Sequence, residues 1–191
     1  MRTTYLSLGS NLGDKLKNLQ EAVNLINKSV GHVKKVSSVY KTKSWGFDGG
    51  DFYNMCIEVS SSLNPEKMIQ TILGIELQMG RDRNTGTGYK DRLIDIDILL
   101  FDDDVIFFND LKVPHPQMLN RKFVLVPLTE IAPNVIHPIN KKTILICLQH
   151  CADNETIEKV EEKIKRPISL VEKYNYIAIE GNIGSGKTSL A

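Results

Sequence analysis

The chain has 191 residues, 41% of them hydrophobic, and a formal net charge of +1. This length fits one domain or one domain with an appendage, and the near-neutral charge argues against binding to nucleic acid or membranes through charge alone. There is no apolar run that could span a bilayer, no signal-peptide layout at the N-terminus and no disulfide framework among three cysteines. We therefore expect a cytoplasmic protein that binds neither nucleic acid nor membrane.

The spacing of apolar residues predicts six elements in chain order: strand, helix, strand, strand, helix and strand. The first strand is TTYLSLGS, and the first helix lies in GDKLKNLQEAVNLINKS. The next two strands lie in HVKKVSSVYKTKSW and FYNMCIEVSS, and Asn64-Pro65-Glu66 is typical of a helix start. The sixth element is the strand LIDIDILLF. This order is the split β-α-β pattern of a ferredoxin-like α/β sandwich, an α+β fold.

Further elements are predicted after this series. DDDVIFFNDLKVP favours an extra hairpin, and FVLVPLTEIAP and KKTILICLQHC favour extra short helices. Cys147, His150 and Cys151 are spaced as zinc ligands could be, but a core helix is the better interpretation because no second ligand cluster is visible in the sequence. We predict a first domain over residues 1–151.

The composition changes at Ala152. ADNETIEKVEEKIKRP is dense in charge and carries apolar residues at helical spacing, which predicts a charged linker helix over 152–173. A strand and the phosphate-loop pattern G-x-x-x-x-G-K-[ST] follow over 174–191. Fewer residues than one helical turn follow this loop, so we expect it to bind no nucleotide in this chain. Its strand is expected to be unordered or to pair with another sheet edge, which could also mediate association. The loop residues are Gly181, Gly186, Lys187 and Thr188.

Two carboxylates alternate with isoleucines in RLIDIDILL. Because side chains alternate faces along a strand, Asp95 and Asp97 should share one face, with Cα atoms about 6.5–7 Å apart. Such a pair in an apolar segment would repel and lose hydration without a cation. Two Mg²⁺ ions roughly 3.5–4 Å apart would suit it in phosphoryl chemistry. The alternative is an edge strand with two ordinary surface acids.

Arginines cluster just before this strand. Arg81, Arg83 and Arg92 flank NTGTGY, a glycine- and threonine-rich stretch that favours a loop. Arginine offers bidentate donors to phosphate, so a loop of this kind beside a metal site suits a triphosphate. Without the aspartates, a basic surface loop would be the better interpretation. Farther along, VPHPQMLNRKFVLVPL brings His115 and Arg121 together.

Five motifs resemble those of 6-hydroxymethyl-7,8-dihydropterin pyrophosphokinases over about residues 3–150: SLGSNLGD, FYNM, GRDR, RLIDIDILLF and VPHPQMLNRKFVLVPL. The resemblance implies a ferredoxin-like fold, a monomeric pterin domain, and transfer of the β,γ-pyrophosphoryl group of ATP to the pterin hydroxymethyl oxygen with release of AMP. It implies that Asp95 and Asp97 bind two Mg²⁺ ions and act in catalysis with Arg83 and Arg92. The implied ATP contacts are Glu76, Arg81, Ile98, His115 and Arg121. The implied pterin contacts are Thr42, Trp45, Phe52, Asn54 and Phe123.

The tail YIAIEGNIGSGKT resembles the opening strand and loop of deoxynucleoside kinases. The whole chain is then expected to be a pyrophosphokinase followed by a truncated P-loop kinase start, with kinase activity only in a longer chain. Two other interpretations of the function stay open. One is a catalytically inactive pterin-binding protein. The other is an RNA-binding module, which the aspartates on the corresponding sheet face disfavour.

Overall fold

A computed structural model of the chain describes residues 1–44, 49–81, 91–108 and 111–168. A six-stranded sheet lies at its centre, and a two-stranded hairpin is attached to it. The large sheet contains β1 (Arg2–Ser10), β2 (His32–Val36), β3 (Tyr40–Thr42), β4 (Phe52–Ser61), β5 (Asp95–Phe101) and β8 (Glu158–Lys159); the hairpin is β6 (Ile106–Phe108) and β7 (Leu111–Val113). The helices are α1 (Lys15–Ser29), α2 (Pro65–Gln78), α3 (Lys122–Ile131) and α4 (Ile144–Gln149), with a 3-10 turn at Met118–Asn120.

The strand order confirms the topology that the sequence predicts. The order is β5-β1-β4-β3-β8, and β2 also pairs with β4. All of these pairs are antiparallel, which is the split β-α-β arrangement with β1 and β4 in the centre. The predicted hairpin and the two predicted C-terminal helices are present. One predicted strand, HVKKVSSVYKTKSW, is divided into β2 and β3.

Both faces of the sheet carry apolar cores. On one face, Leu6, Leu8 and Ile96 pack with residues of α1 and α2 such as Leu19 and Ile72, all at most 1% exposed. On the other face, α3 and α4 cover only part of the sheet, and their apolar residues pack on the far ends of β1, β4 and β5. These contacts involve Tyr5, Cys56, Leu99, Leu125, Leu128 and Ile144. The remaining part of that face is where the cleft described below lies.

The ends of α2 are set by local sequence. The Asn64 side chain accepts a hydrogen bond from the Lys67 backbone N–H at 2.8 Å, and Pro65 occupies the first turn, as the sequence predicts. Gly80 has φ of +91° just beyond the helix, a conformation that glycine adopts without steric cost. The chain therefore turns sharply there and directs Arg81 back towards β5.

The prediction of a linker helix after Ala152 is wrong for the part of this segment that the structure describes, residues 152–168. Glu158 and Lys159 form β8, which adds to the exposed edge of β3, and Ile164 is 7% exposed in the core. An edge strand offers unpaired backbone groups, so an extended chain there gains hydrogen bonds as well as apolar burial. The division at residue 152 stays a prediction, and residues 174–191 lie outside the described ranges. No helix within the described ranges is long and apolar enough to cross a membrane.

Glu130 of α3 joins the helix to the edge of the sheet. Its carboxylate accepts hydrogen bonds from the Ser38 backbone N–H at 2.6 Å, the Tyr40 hydroxyl at 2.9 Å and the Lys159 ammonium at 2.9 Å. Burial opposes ionisation of Glu130, but these donors outweigh it and lower its pKa below the ordinary value of 4.5. Burial and the bond to Glu130 together raise the pKa of Tyr40 to about 12.

We predict that Glu130→Gln flattens the dependence of stability on pH. A carboxyl with a lowered folded-state pKa stabilises the fold above its unfolded pKa, and this contribution is lost as pH falls through the folded value. The variant should melt below the wild type at neutral pH, and its melting temperature should fall less between about pH 6 and about pH 3. Glu161→Gln, at an exposed position, is the control. A Glu130→Gln profile parallel to that of the wild type would contradict the prediction.

Candidate active site

An open cleft lies on the part of the sheet that α3 and α4 leave uncovered. Its walls come from β1, β3, β4 and β5, from Lys43 just after β3, from Arg92 shortly before β5, and from the start of α3. It contains about 540 Å³ of space, part of which is open to solvent. The lining residues are Ser7, Gly9, Thr42, Lys43, Phe52, Asn54, Arg92, Asp95, Asp97, Arg121 and Phe123.

Strand register brings the two aspartates beside Asn54. Gly9 of β1 pairs with Asp95 on one side and with Asn54 on the other. Directly paired residues point to the same face of a sheet, so both aspartates and Asn54 face the cleft while the intervening isoleucine faces the core. A Cβ at position 9 would lie 3.1 Å from Asn54 Oδ1. The missing side chain of Gly9 therefore keeps the floor of the cleft open.

One end of the cleft is lined by aromatic rings and a buried amide. Asn54 Nδ2 donates to Thr42 Oγ1 at 2.9 Å, and both residues are 4% exposed, so the Asn54 amide has a fixed orientation. Phe52 and Phe123 line the cleft near it. Arg92 Cζ lies 5.6 Å from the centre of the Phe52 ring. This end combines flat apolar faces with a polar group that can read the edge of a planar ring.

Arg121 and Phe123 form a second pair of a guanidinium group and an aromatic ring, at the start of α3. Arg121 Cζ lies 5.7 Å from the centre of the Phe123 ring, a distance compatible with a cation–π contact. Arg121 and Phe123 lie at the very start of α3, on either side of Lys122. Two guanidinium groups thus flank the two aromatic side chains, and both can turn donors towards an anion in the cleft.

Asp95 is held by two arginines. Arg92 donates to Asp95 Oδ2 at 2.7 Å, and Arg81 donates to Asp95 Oδ1 and also to Glu76. Glu76 is 1% exposed and accepts a hydrogen bond from the Ile96 backbone N–H at 2.8 Å. Arg81 and Glu76, predicted to contact ATP, lie behind Asp95 instead of lining the cleft. The chain itself therefore supplies a cationic partner for Asp95, which the sequence argument had assigned to metal ions.

Asp97 lies in a different electrostatic setting from Asp95. Burial and the neighbouring Asp95 together raise the pKa of Asp97 to about 7, although Arg121 acts in the opposite direction. Burial and, to a smaller extent, Arg121 lower the pKa of His115 to about 4, so its imidazole is neutral at pH 7. His115 Nδ1 accepts a hydrogen bond from the Gln117 backbone N–H at 3.2 Å. It adjoins the cleft without lining it.

Asn11 fixes the backbone of Arg92. Its side-chain oxygen accepts from the Arg92 N–H at 2.7 Å, and its own N–H donates to the Arg92 carbonyl at 3.2 Å. Its amide group also lies 3.4 Å from the Gly50 carbonyl. Sequence analysis gave Asn11 no role, and neither did it give one to Ser7, Gly9 or Lys43. Ser7 and Gly9 share one face of β1 because side chains alternate along a strand, but only the register of β1 shows that this face is the cleft.

The other predicted site residues are distributed as follows. Ile98 is 5% exposed and packs in the core shared with α1 and α2, on the face opposite the cleft. Trp45, Arg83, Gly181, Gly186, Lys187 and Thr188 lie outside the described residues. The remaining predicted residues, apart from His115, Glu76 and Arg81, line the cleft together.

The aspartate pair fits a nucleotide-bound Mg²⁺ better than a self-contained metal centre. Within the described residues there is no group of three or more His, Cys, Asp and Glu side chains that could hold a metal ion. Mg²⁺ in nucleotide sites needs only one or two protein carboxylates, because phosphates and water complete its coordination. A divalent cation would also offset the repulsion between Asp95 and Asp97 that raises the Asp97 pKa.

Comparison with protein families gives a match over residues 5–133 to 7,8-dihydro-6-hydroxymethylpterin-pyrophosphokinase. A 2-amino-4-hydroxy-6-hydroxymethyldihydropteridine pyrophosphokinase of Aquifex aeolicus is 42% identical over 143 residues, which are 74% of this chain and 88% of that protein. The Bacillus subtilis protein of the same name is 43% identical over 133 residues, 69% of this chain and 78% of that protein. The folic acid synthesis protein of Dictyostelium discoideum is 40% identical over 135 residues, which are only 20% of its length.

Solved structures show the same fold. The chain matches wild-type Plasmodium falciparum HPPK-DHPS crystallised with pteroate at a TM-score of 0.66 and 17% identity. The match covers 78% of this chain and 44% of that one, so this chain spans less than half of the longer Plasmodium protein. The form crystallised with SDX-DHP matches at a TM-score of 0.64 and 19% identity, over 78% of this chain and 43% of the other.

Proposed function

The chain belongs to the 7,8-dihydro-6-hydroxymethylpterin-pyrophosphokinase family, and we propose that the cleft between β5 and the start of α3 is where its reaction takes place. The activity of the family is the ATP-dependent pyrophosphokinase step of folate biosynthesis, and this chain is an enzyme of that activity. One observation carries the assignment of the site. Asp95, Asp97 and Asn54 face a single cleft in which Phe52 and Phe123 are also placed.

The aromatic end of the cleft is proposed to take the pterin. Phe52 and Phe123 offer apolar faces to its flat ring, and the Asn54 amide can hydrogen-bond the ring edge. Thr42 supports this role, because its hydroxyl accepts a bond from Asn54 Nδ2 at 2.9 Å and so leaves Asn54 Oδ1 directed at the cleft. Trp45, outside the described residues, is proposed from the family resemblance to complete the enclosure.

The charged groups of the cleft are proposed to bind the triphosphate of ATP. Arg92 and Arg121 line the cleft beside the aromatic rings, and guanidinium forks bind phosphate oxygens in pairs. Arg83 is proposed from the resemblance to add a further donor. His115 beside the cleft is neutral at pH 7 because its pKa is lowered to about 4, so it can contact the nucleotide through a neutral hydrogen bond.

Asp95 and Asp97 are proposed to hold two Mg²⁺ ions, which would neutralise phosphate charge and polarise the reacting oxygens when bound. The hydroxymethyl oxygen forms a bond to the β-phosphorus of ATP and loses its proton, and the bond from that phosphorus to the α–β bridging oxygen breaks, so AMP leaves. The residues described here contribute orientation and charge. Arg92 is bonded to Asp95 in the free protein, so phosphate and carboxylate would share its donors in the complex.

The proposal is tested by measuring the products formed from ATP with and without 6-hydroxymethyl-7,8-dihydropterin. We expect AMP and the pterin diphosphate in equal amounts, formed only when the pterin is present. Formation of ADP or free phosphate would contradict pyrophosphoryl transfer. Pterin binding without any AMP would instead identify the catalytically inactive alternative.

We further propose, from the sequence pattern of residues 174–191, that this segment is the start of a P-loop unit that binds no nucleotide here. Deleting the residues after Lys173 should then leave pyrophosphokinase turnover and ATP affinity unchanged. Calorimetric titration of the full chain should find one ATP site. A second site that is abolished by Lys187→Ala would contradict this prediction.

A further inference from the structure

A C-terminal segment beyond the family match, which ends at residue 133, lies against two walls of the cleft. We call residues 153–160 the strap. Its first part contacts the start of α3, which carries Arg121 and Phe123. Its last part contains β8 and pairs with β3, the strand that carries Thr42. The strap therefore joins the two walls between which the pterin is proposed to bind.

Asp153 takes the place of a missing helix cap. The residue that precedes α3, Arg121, makes no side-chain capping bond, and helix starts need an acceptor for their first N–H groups. Asp153 Oδ2 accepts from the Lys122 backbone N–H at 2.8 Å, and its Oδ1 accepts from the Glu155 N–H at 2.9 Å. Lys122 stands between Arg121 and Phe123. The bond therefore holds the backbone from which both cleft side chains extend.

The rest of the strap holds the opposite wall. Glu158 and Lys159 pair with β3 at Tyr40 and Lys41, and the Val160 N–H donates to the Val39 carbonyl at 2.9 Å. These bonds run along β3, the strand that ends at Thr42 in the cleft wall. One short segment thus bonds to both walls within eight residues.

We propose that the strap sets the spacing of the pterin pocket and that Asp153 is a positioning residue for Phe123. This inference rests on the proposed function of the cleft and adds to it. Asp153 lines no part of the cleft, so it acts through the backbone of Lys122 and not by touching the pterin. Loss of its bond should let the start of α3 move away from β3 and widen the gap between Phe52 and Phe123.

The test measures pterin affinity of the full chain by fluorescence titration. Asp153→Ala should bind 6-hydroxymethyl-7,8-dihydropterin roughly three- to tenfold more weakly, the usual effect of one hydrogen bond. Asp153→Asn, which keeps one of two acceptor oxygens, should fall between it and the wild type. Asn64→Ala is the matched control, because it removes a 2.8 Å cap at the start of α2. It should lower the melting temperature comparably without changing pterin affinity.

A double-mutant cycle separates positioning from general loosening. In a Phe123→Ala background, Asp153→Ala should have little further effect on pterin affinity, because its effect passes through Phe123. Equal losses in both backgrounds, or unchanged affinity in Asp153→Ala and Asp153→Asn, would overturn the inference. Failure of the wild type itself to bind the pterin would instead overturn the proposed function of the cleft.

Discussion

Replacing Asp97 with asparagine should lower turnover by roughly a thousandfold or more while leaving the fold intact, since each factor of ten corresponds to about 1.36 kcal/mol of transition-state stabilisation. The amide is nearly isosteric with the carboxylate but carries no charge. At a site where carboxylates are proposed to hold divalent ions on phosphate, loss of that charge removes several kcal/mol of stabilisation. The measurement is kcat with saturating ATP and pterin, together with Mg²⁺-dependent ATP binding.

We expect Asp97→Asn to leave the stability of the fold unchanged or to increase it, although the same change lowers activity. Burial, with the adjacent Asp95, raises the folded-state pKa of Asp97 to about 7. A carboxyl with a raised pKa destabilises the fold once pH exceeds its unfolded value, because ionisation is less favourable in the folded state. The neutral amide of Asp97→Asn avoids this cost, so the melting temperature at neutral pH and without Mg²⁺ should be equal to or above that of the wild type.

Asp103→Asn is the control, because Asp103 lies exposed in the turn directly after β5. It should leave turnover and stability unchanged. Asp97→Asn with turnover near the wild-type level would remove the basis for a metal role of this residue. A melting temperature well below that of the wild type would show that Asp97 is a structural residue instead.

Alternation along single strands allowed the faces of the site to be predicted from the sequence. It placed Asp95 with Asp97, and the same alternation along FYNMCIEVSS puts Phe52 with Asn54. What it could not supply is the register between strands. β1 stands between β4 and β5, and Gly9 pairs with both Asn54 and Asp95. This long-range pairing, which depends on the whole sheet, brings the two predicted groups into one cleft.

The partners of the charged side chains could not be predicted from the sequence. A cluster of arginines near two aspartates suggests phosphate binding for all of them. In the structure, Gly80 turns the chain after α2 and brings Arg81 between Glu76 and Asp95, whereas Arg92 both bonds Asp95 and lines the cleft. Whether an arginine meets a carboxylate or a ligand depends on this tertiary placement, which charge pattern alone does not determine.

The linker helix was mispredicted because the spacing of Ile157, Val160 and Ile164 favours a helix when the segment is considered by itself. The decisive factor lies elsewhere in the chain. β3 is a short strand with one side open to pairing, and β8 fills it. The competing extended structure thus gains hydrogen bonds that no local pattern within residues 152–168 reveals. Similarly, the absence of a side-chain cap at Arg121 gives no sign that Asp153 will supply one.

Arg92→Ala should lower kcat by on the order of a hundred- to a thousandfold, the loss typical for a preorganised donor to developing charge. Arg92 is prepared for this role in the free protein. Its guanidinium donates to Asp95 at 2.7 Å and lies 5.6 Å from the Phe52 ring, and Asn11 binds its backbone. Its removal should therefore weaken the binding of both the triphosphate and the pterin, so the KM for the pterin should rise as well.

Arg92→Lys separates charge from geometry. Lysine keeps the positive charge but lacks the planar fork, which can bond carboxylate and phosphate at once and lie flat against an aromatic ring. It should restore only part of the lost turnover and little of the pterin KM. Steady-state kinetics with each substrate varied in turn measures both effects, and equal activity of Arg92→Lys and the wild type would show that only charge matters.

Arg2→Ala is a closely matched control. Arg2 also bonds two carboxylates, Asp102 and Asp104, and its Cζ lies 4.9 Å from the Phe101 ring, but it is not among the residues that line the cleft. Both variants lose an arginine with ionic and aromatic partners, so a purely structural effect would lower activity in both. We expect Arg2→Ala to keep wild-type kcat and KM. Comparable loss in the two variants would contradict a direct role for Arg92, because Arg2 has partners of the same kinds but lies outside the cleft.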